Sequence, residues 1–156
     1  MTDQQFDVLE RTRDIVVKSI EELSLEQMNR IPGGFNNNIA WNLAHLVVSQ
    51  QILCYRLSGL PCTIDDAVID RYKKGTAPDR ERPMTAEELR YFREKFLGNA
   101  AKFREDYEKG IFTEFHTYTT SMNVTLTDIH GAIAYNNMHE GLHLGYILAL
   151  KRAVRG

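Results

Sequence analysis

Three histidines in this sequence have types and spacing suited to binding a metal ion. His139 and His143 lie four residues apart in NNMHEGLHLGYILALKR, a segment with helical periodicity and no proline. Because an α-helix turns about 100° per residue, their side chains differ in direction by only about 40°. Two imidazoles alone hold an ion weakly, so a third ligand must come from another helix. His45 lies in the middle of such a helical segment, IAWNLAHLVVSQ. The pattern predicts one divalent ion bound by His45, His139 and His143.

The other histidines and Cys54 do not fit this centre. His130 lies nine residues before His139, about 180° around the same helix, and His116 belongs to a loop. Cys54 lies nine residues after His45, so we expect a buried thiol that points away from the ion. The identity of the ion stays open on this reasoning, because imidazole suits zinc, nickel, copper and iron.

The HEGLH segment also matches the HExxH pattern of zinc proteases, in which the glutamate is the general base. We reject that interpretation, because metzincins continue with a fixed glycine and a third histidine, whereas Tyr146 stands at the glycine position. Glu140 points about 100° away from His139. We therefore expect it to be solvated or to support a ligand from behind.

Four residues near the predicted centre are candidates for a substrate pocket: Trp41, Asn42, Tyr135 and Tyr146. Three protein ligands leave one coordination position open, which is typical of catalytic zinc. Ordinary packing explains Trp41 and the tyrosines nearly as well, and Asn42 suits the orientation of a histidine ring. No residue is assigned a catalytic role at this point.

Four long segments must position these side chains, and each has the periodicity of an amphipathic helix. They span about 3–23, 39–58, 86–109 and 126–155, and the third and fourth begin at apparent capping boxes, Thr85 with Glu88 and Thr125 with Asp128. The apolar stripe of the first helix is expected to comprise Phe6, Leu9, Ile15, Val16, Ile20 and Leu23.

The two connections differ in kind. Residues 59–83 are rich in proline and contain a short helix capped by Thr63 with Asp66, whereas residues 111–124 are strand-like but have no partner strand and are expected to form a loop. A connection as long as 59–83 lets the second and third helices run parallel. The sequence therefore predicts a single all-α domain over residues 1–156, a four-helix bundle with a long crossover connection between helices two and three.

Composition excludes several partners and suggests a compartment. The 19 basic and 21 acidic residues give a net charge of −2 without runs of one sign, which argues against nucleic acid. The polar, acidic amino terminus lacks the features of a secretory signal, and no apolar stretch reaches the roughly 20 residues that cross a bilayer. With only two cysteines, a reducing cytoplasm and no membrane association are expected.

Two helix faces favour a homodimer. The second helix places Leu43, Val47 and Cys54 away from His45, which is more apolar surface than one helix of a small monomer usually needs to cover. Close packing within the bundle explains the same pattern. The fourth helix has small residues along one side, where another helix could approach: Gly131, Ala134, Gly141, Gly145 and Ala149.

The chain resembles the DinB-like (DinB/YfiT-like) metalloenzymes. The resemblance lies in NNNIAWNLAHLV, with Trp41 and His45 in a W-x-x-x-H segment, and in NMHEGLHLGYILALKR, with His139 and His143 in an H-x-x-x-H pair. It implies a four-helix bundle, commonly a homodimer, that binds zinc or nickel with solvent completing the coordination. Family members with known activity are mostly transferases or isomerases that use a low-molecular-weight thiol.

The resemblance therefore implies a thiol S-transferase acting on a small electrophilic substrate, with the thiol as co-substrate. Two alternatives stay open. One is a hydrolase that uses a metal-bound hydroxide, and the other is a non-catalytic module in which the ion braces helix two against helix four.

Overall fold

Four long helices make up most of the molecule, whose computed structural model describes residues 2–156. In chain order the helices are α1 (Thr2–Ile20), α2 (Leu25–Asn29), α3 (Ile39–Gln50), α4 (Asp66–Tyr72), α5 (Ala86–Glu108) and α6 (Ile129–Arg155). Helix α3 continues as a π-helical turn, Gln51–Tyr55, and a 3₁₀ turn, Arg56–Ser58. Two short strands, β1 (Tyr118–Thr119) and β2 (Thr125–Leu126), pair antiparallel. The all-α fold expected from the sequence is confirmed.

The long helices α1, α5, α3 and α6 form a ring in which each packs against two neighbours. Helices α3 and α5 run in the same direction. At one end Asn29, the last residue of α2, accepts at its carbonyl from Asn38, the N-cap of α3, at 2.9 Å, and its side chain donates to the carbonyl of Met84, just before α5, at 2.8 Å. At the other end the Tyr55 hydroxyl donates to Asp106 at 2.7 Å. The long connection between these helices is therefore a crossover, as its length predicted.

Side-chain caps set the start of α3 and α5, and a glycine ends the α3 assembly. Asn38 accepts from the Trp41 backbone N–H at 2.8 Å and fixes the start of α3. Thr85 and Glu88 form the expected capping box of α5. The α3 assembly ends at Gly59, whose φ of 69° permits a Schellman motif in which the Leu60 N–H bonds to the Tyr55 carbonyl at 2.9 Å.

The capping boxes expected for α4 and α6 are wrong. Helix α4 begins after Asp65, whose side chain makes no capping bond. Thr63, the expected cap, lies two residues earlier, and its hydroxyl donates to Asn99 at 3.1 Å. Helix α6 is capped by Asp128 alone, which accepts from the Gly131 N–H at 2.8 Å. Thr125 cannot cap it because it belongs to β2.

The segment expected to be a loop forms part of a hairpin. Tyr118 pairs with Leu126 and Thr119 with Thr125, so the partner strand lies directly after the segment. Asn123 closes the turn with a φ of 60°, a conformation that asparagine tolerates better than most residues. The hairpin matters because its residues reach the functional site.

The apolar core fills the space between the four long helices. The buried stripe of α1 runs through Phe6, Leu9, Arg13, Val16 and Ile20. Ile15 was expected in this stripe, but it is 50% exposed because it lies about 200° around the helix from Arg13, on the side opposite the stripe. No helix within residues 2–156 is both long enough and apolar enough to cross a bilayer.

Leu43, Val47 and Cys54 are fully buried within the chain. The buried Cys54 thiol is as predicted. The apolar surface of α3 on the side away from His45 is therefore covered by the other helices of the same bundle, and it carries no argument for a second copy of the chain.

Candidate metal centre

The three predicted ligands meet between α3 and α6. The ring centroid of His45 lies 5.2 Å from that of His139 and 5.0 Å from that of His143, and the two rings on α6 are 4.5 Å apart. One nitrogen from each ring lies within 4.8 Å of the others. The structure thus brings together three imidazoles that could hold one metal ion, in the arrangement that helix spacing predicted.

Two of the rings are oriented by hydrogen bonds behind them. The Nδ1–H of His45 donates to the Tyr72 carbonyl at 2.7 Å, and Nδ1–H of His143 donates to Asn42 Oδ1 at 2.6 Å. The Asn42 amide is itself fixed, because its nitrogen donates to the Asn38 carbonyl at 2.7 Å. With the proton on Nδ1, the Nε2 atom of each ring carries the lone pair that would bind a metal, and at His45 an ion would replace the Ser49 hydroxyl bonded there.

Trp41 and Ser49 support His45 on its own helix. The Trp41 indole stacks on the His45 ring with centroids 4.5 Å apart and an interplanar angle of 11°. Ser49 lies 3.2 Å from Nε2 of His45 and donates its hydroxyl there. Residues 41, 45 and 49 are spaced four apart, so their side chains lie next to one another on the same face of α3.

His139 has no such support. Its Nδ1 atom is buried and has no hydrogen-bond partner among residues 2–156. A buried imidazole nitrogen without a partner is costly in a protein interior, and a bound cation would satisfy the ring. This orphaned atom and the purely nitrogen donor set both fit a divalent transition metal.

All three imidazoles are neutral at physiological pH. Burial lowers the pKa of His139 to about 3, with the neighbouring His143 and His45 adding to the shift. Burial and His45 lower the pKa of His143 to about 4. The pKa of His45 is also lowered, mainly by burial, although its bond to Tyr72 opposes the shift. Neutral imidazole is the form that binds metals.

The three rings open onto a cavity of about 630 Å³. Its walls come from α3 and the turns that follow it, from α6, from the end of α4 and from the β1–β2 hairpin. Trp41 and Tyr135, two of the predicted pocket residues, line it. A volume of this size suits a small organic ligand next to the histidines.

The other two pocket candidates lie elsewhere. Asn42 is fully buried behind His143, where its amide orients the ring and has no surface in the cavity. Tyr146 is 37% exposed and packs edge-on against Phe35, with ring centroids 5.7 Å apart. It misses the cavity because it lies about one turn beyond His143 along α6, where it contacts Phe35 in the segment before α3.

Glu140 is neither solvated nor in contact with a ligand, contrary to expectation. It is fully buried and accepts from Arg13 of α1, with Nη2 2.5 Å from Oε1. The Arg13 Nε atom lies 3.1 Å from both carboxylate oxygens. The helix places this carboxylate toward α1 and away from the histidines, so it cannot serve as the general base of an HExxH site.

Several cavity residues were not identified from the sequence. They lie on connections whose position depends on the fold: Lys73, Lys74 and Gly75 after α4, and Tyr118, Thr120 and Ser121 on the hairpin. The Tyr72 carbonyl, which orients His45, is a backbone group and has no sequence signal at all. His116 and His130 are exposed and take no part in the centre, as predicted.

The chain is thus a four-helix bundle with a potential metal centre, in which three neutral imidazoles lie at the edge of an open cavity. The sequence profile of the DinB superfamily matches residues 8–147, so the chain belongs to the DinB superfamily. The matched region contains all three histidines, and the resemblance inferred from the two histidine motifs is confirmed. A comparison with curated proteins finds no match.

Proposed function

We propose that His45, His139 and His143 bind one divalent metal ion, zinc or nickel, and that the protein is a metal-dependent enzyme. The observation that carries this proposal is the position of the three imidazoles. They come from two facing helices, are neutral, and are exposed on one side to a cavity of about 630 Å³. Since the group contains three side chains, one or more coordination positions remain for a ligand from the cavity.

The reaction we propose is the transfer of a low-molecular-weight thiol to a small electrophile. A bound divalent cation supplies positive charge that lowers the pKa of a thiol next to it. The thiol sulfur then forms a bond to an electrophilic carbon, the leaving group departs with the electron pair of its bond, and the thiol proton passes to solvent. This assignment rests on the activities known in the family.

The chain's own residues have distinct parts in this proposal. Asn42 and the Tyr72 carbonyl hold two ligand rings in place. Trp41 and Tyr135 provide aromatic surface beside the ion, against which an apolar part of the substrate would pack. The hairpin closes one side of the cavity and limits access of water to it.

Elemental analysis of the purified protein tests the metal site. We expect about one divalent ion per chain, and a loss of most of it in each of H45A, H139A and H143A. The matched control is H130A, which removes an exposed histidine from the same helix as two of the ligands. Full metal occupancy in each of the three ligand variants would show that the site is wrongly assigned.

A turnover assay tests the reaction. With cysteine or glutathione and 1-chloro-2,4-dinitrobenzene, we expect metal-dependent formation of the thioether that is lost in H139A. Hydrolysis of 4-nitrophenyl acetate without any thiol would favour the hydrolase instead. Neither activity, together with a large fall in melting temperature on chelation, would favour a non-catalytic ion that braces α3 against α6.

We also propose a homodimer formed through the outer side of α6. Ala134, Gly141, Gly145 and Ala149 are exposed there, and nothing lies within 4 Å of a side chain built at either of these glycines. Large apolar side chains flank this strip: Met138, Leu142 and Leu148. Light scattering during size-exclusion chromatography should give the mass of two chains, and G141E should shift it toward one.

A further inference from the structure

The cavity next to the histidines has a one-sided charge distribution. Among residues 2–156, its lining includes Lys73 and Lys74 but no aspartate or glutamate. The chain as a whole is slightly acidic, with a net charge of −2, so this bias is local and does not follow from composition. A divalent ion on the three imidazoles would add further positive charge.

The two lysines differ in their availability. The Lys73 ammonium lies 2.7 Å from the Asp70 carboxylate, one turn earlier. Lys74 is exposed and forms no ion pair with any carboxylate among residues 2–156. Lys74 is therefore the cationic group at the cavity that is free to bind an anion.

The turn that carries these lysines is fixed at both ends to the metal centre. Before it, the Tyr72 carbonyl accepts from His45 at 2.7 Å. After it, the Thr76 hydroxyl accepts from the Trp41 indole N–H at 3.2 Å and donates to the Lys73 carbonyl at 2.8 Å. Gly75 between them has a φ of 88°, which a residue with a side chain rarely adopts. The turn with Lys73 and Lys74 thus has a fixed position relative to His45.

The rest of the cavity wall includes apolar side chains. Ile52, Leu53 and Leu57 contribute to it from the π-helical and 3₁₀ turns that follow α3, and Tyr135 contributes from α6. A ligand in this cavity therefore has imidazole nitrogens, apolar surface and a free ammonium group available within one cavity.

We propose that the ligand of this cavity is an anionic thiol, a small molecule that carries a carboxylate as well as its thiol, and that Lys74 recognises the carboxylate. This proposal rests on the proposed function in that the sulfur is placed at the metal centre. Recognition of the carboxylate by Lys74 does not require catalysis, so measurements of ligand binding test the proposal directly.

The probes are linear ω-mercaptocarboxylic acids of increasing chain length and their carboxamides, which have the same shape without the charge. Binding to the cobalt-loaded protein is measured by calorimetry, and the near-ultraviolet band of cobalt bonded to sulfur shows where the thiol lies. For at least one chain length we expect the acid to bind about two- to fivefold more tightly than its amide, the range for an exposed charge pair. We expect K74Q to remove this difference and K74E to reverse it.

The control is K18Q, which makes the same change in net charge on the exposed face of α1, and it should keep the preference for the acid. Equal binding of acid and amide, no binding of either, or a preference that survives K74Q would overturn the proposal. If the acid is preferred through Lys74 but the cobalt–sulfur band is absent, the anion site stands and the thiol assignment of the proposed function fails.

Discussion

Replacement of Glu140 by glutamine should destabilise the protein strongly without removing its metal. Arg13 and Glu140 are both fully excluded from solvent. The remaining donors of the guanidinium are also used, because Nη1 donates to the Phe96 carbonyl at 2.5 Å and the group lies 4.5 Å from the centre of the Phe96 ring. In E140Q the Arg13 charge stays buried without a counter-charge. Loss of one partner from a buried ion pair costs about 3–5 kcal/mol.

That cost is a large part of the free energy of unfolding of a domain of this size, which is typically about 5–15 kcal/mol. Urea unfolding followed by circular dichroism at 222 nm measures it. In the double variant R13M/E140M both charges are absent and apolar side chains fill the space, so we expect most of the lost stability to return. The coupling between the two positions is then obtained from a double-mutant cycle.

The matched control is E22Q, which also removes a carboxylate of the α1–α6 interface. Glu22 is paired with Lys151 and Arg155 but is solvent-exposed, so water screens its charge and we expect little change in the unfolding midpoint. A value for E140Q within about 1 kcal/mol of wild type, or a double variant no more stable than the single ones, would refute the reasoning. Loss of metal from folded E140Q would contradict the separation of Glu140 from the centre.

Three further predictions concern the centre itself. N42A removes the hydrogen-bond acceptor of His143 and should weaken metal binding about 10- to 100-fold in competition with a chelator, whereas wild-type affinity would contradict the orienting role. Trp41 is the one tryptophan of the chain and stacks on His45, so nickel or cobalt should quench its fluorescence in wild type but not in H45A. In the metal-free protein the unfolded chain binds more protons than the folded one between pH 6.5 and the lowered pKa values of His139 and His143, about 3 and 4. Stability should therefore fall as the pH drops below 6.5, by up to about 1.4 kcal/mol per pH unit for each histidine. Urea titrations at pH 7, 6 and 5 should show a smaller slope for H143Q, and an equal slope would contradict the lowered pKa.

The helix pattern was enough to predict the bundle and the approach of the three histidines to one another. The i, i+4 spacing of His139 and His143 holds on any regular helix, and it needs no knowledge of the neighbours. His45 followed because it lies well inside a different helix. These predictions succeeded because they depend on local geometry, which the sequence determines directly.

The predictions that failed depended on distant parts of the chain. Helical geometry correctly turned Glu140 away from His139, but whether that direction meets solvent or protein depends on α1, whose Arg13 is 127 residues away. The same arginine lies in the buried stripe of α1, where a hydrophobic pattern does not mark it, whereas Ile15 lies on the opposite side of the helix and is exposed. The β1–β2 hairpin was not predicted, because strands of two residues are too short to show any periodicity.

The supports of the three histidines are unequal, and this asymmetry bears on how the centre would accept an ion. The rings of His45 and His143 are each fixed by a short hydrogen bond at Nδ1, whereas His139 has none from residues 2–156. Two of the three imidazoles are thus oriented by the protein before any ion binds, and we expect the His139 ring to take its final orientation only when an ion is bound. Glu140, the residue after His139, is tied to Arg13 of α1. We therefore expect that adjustment to involve the His139 side chain and not the backbone of α6.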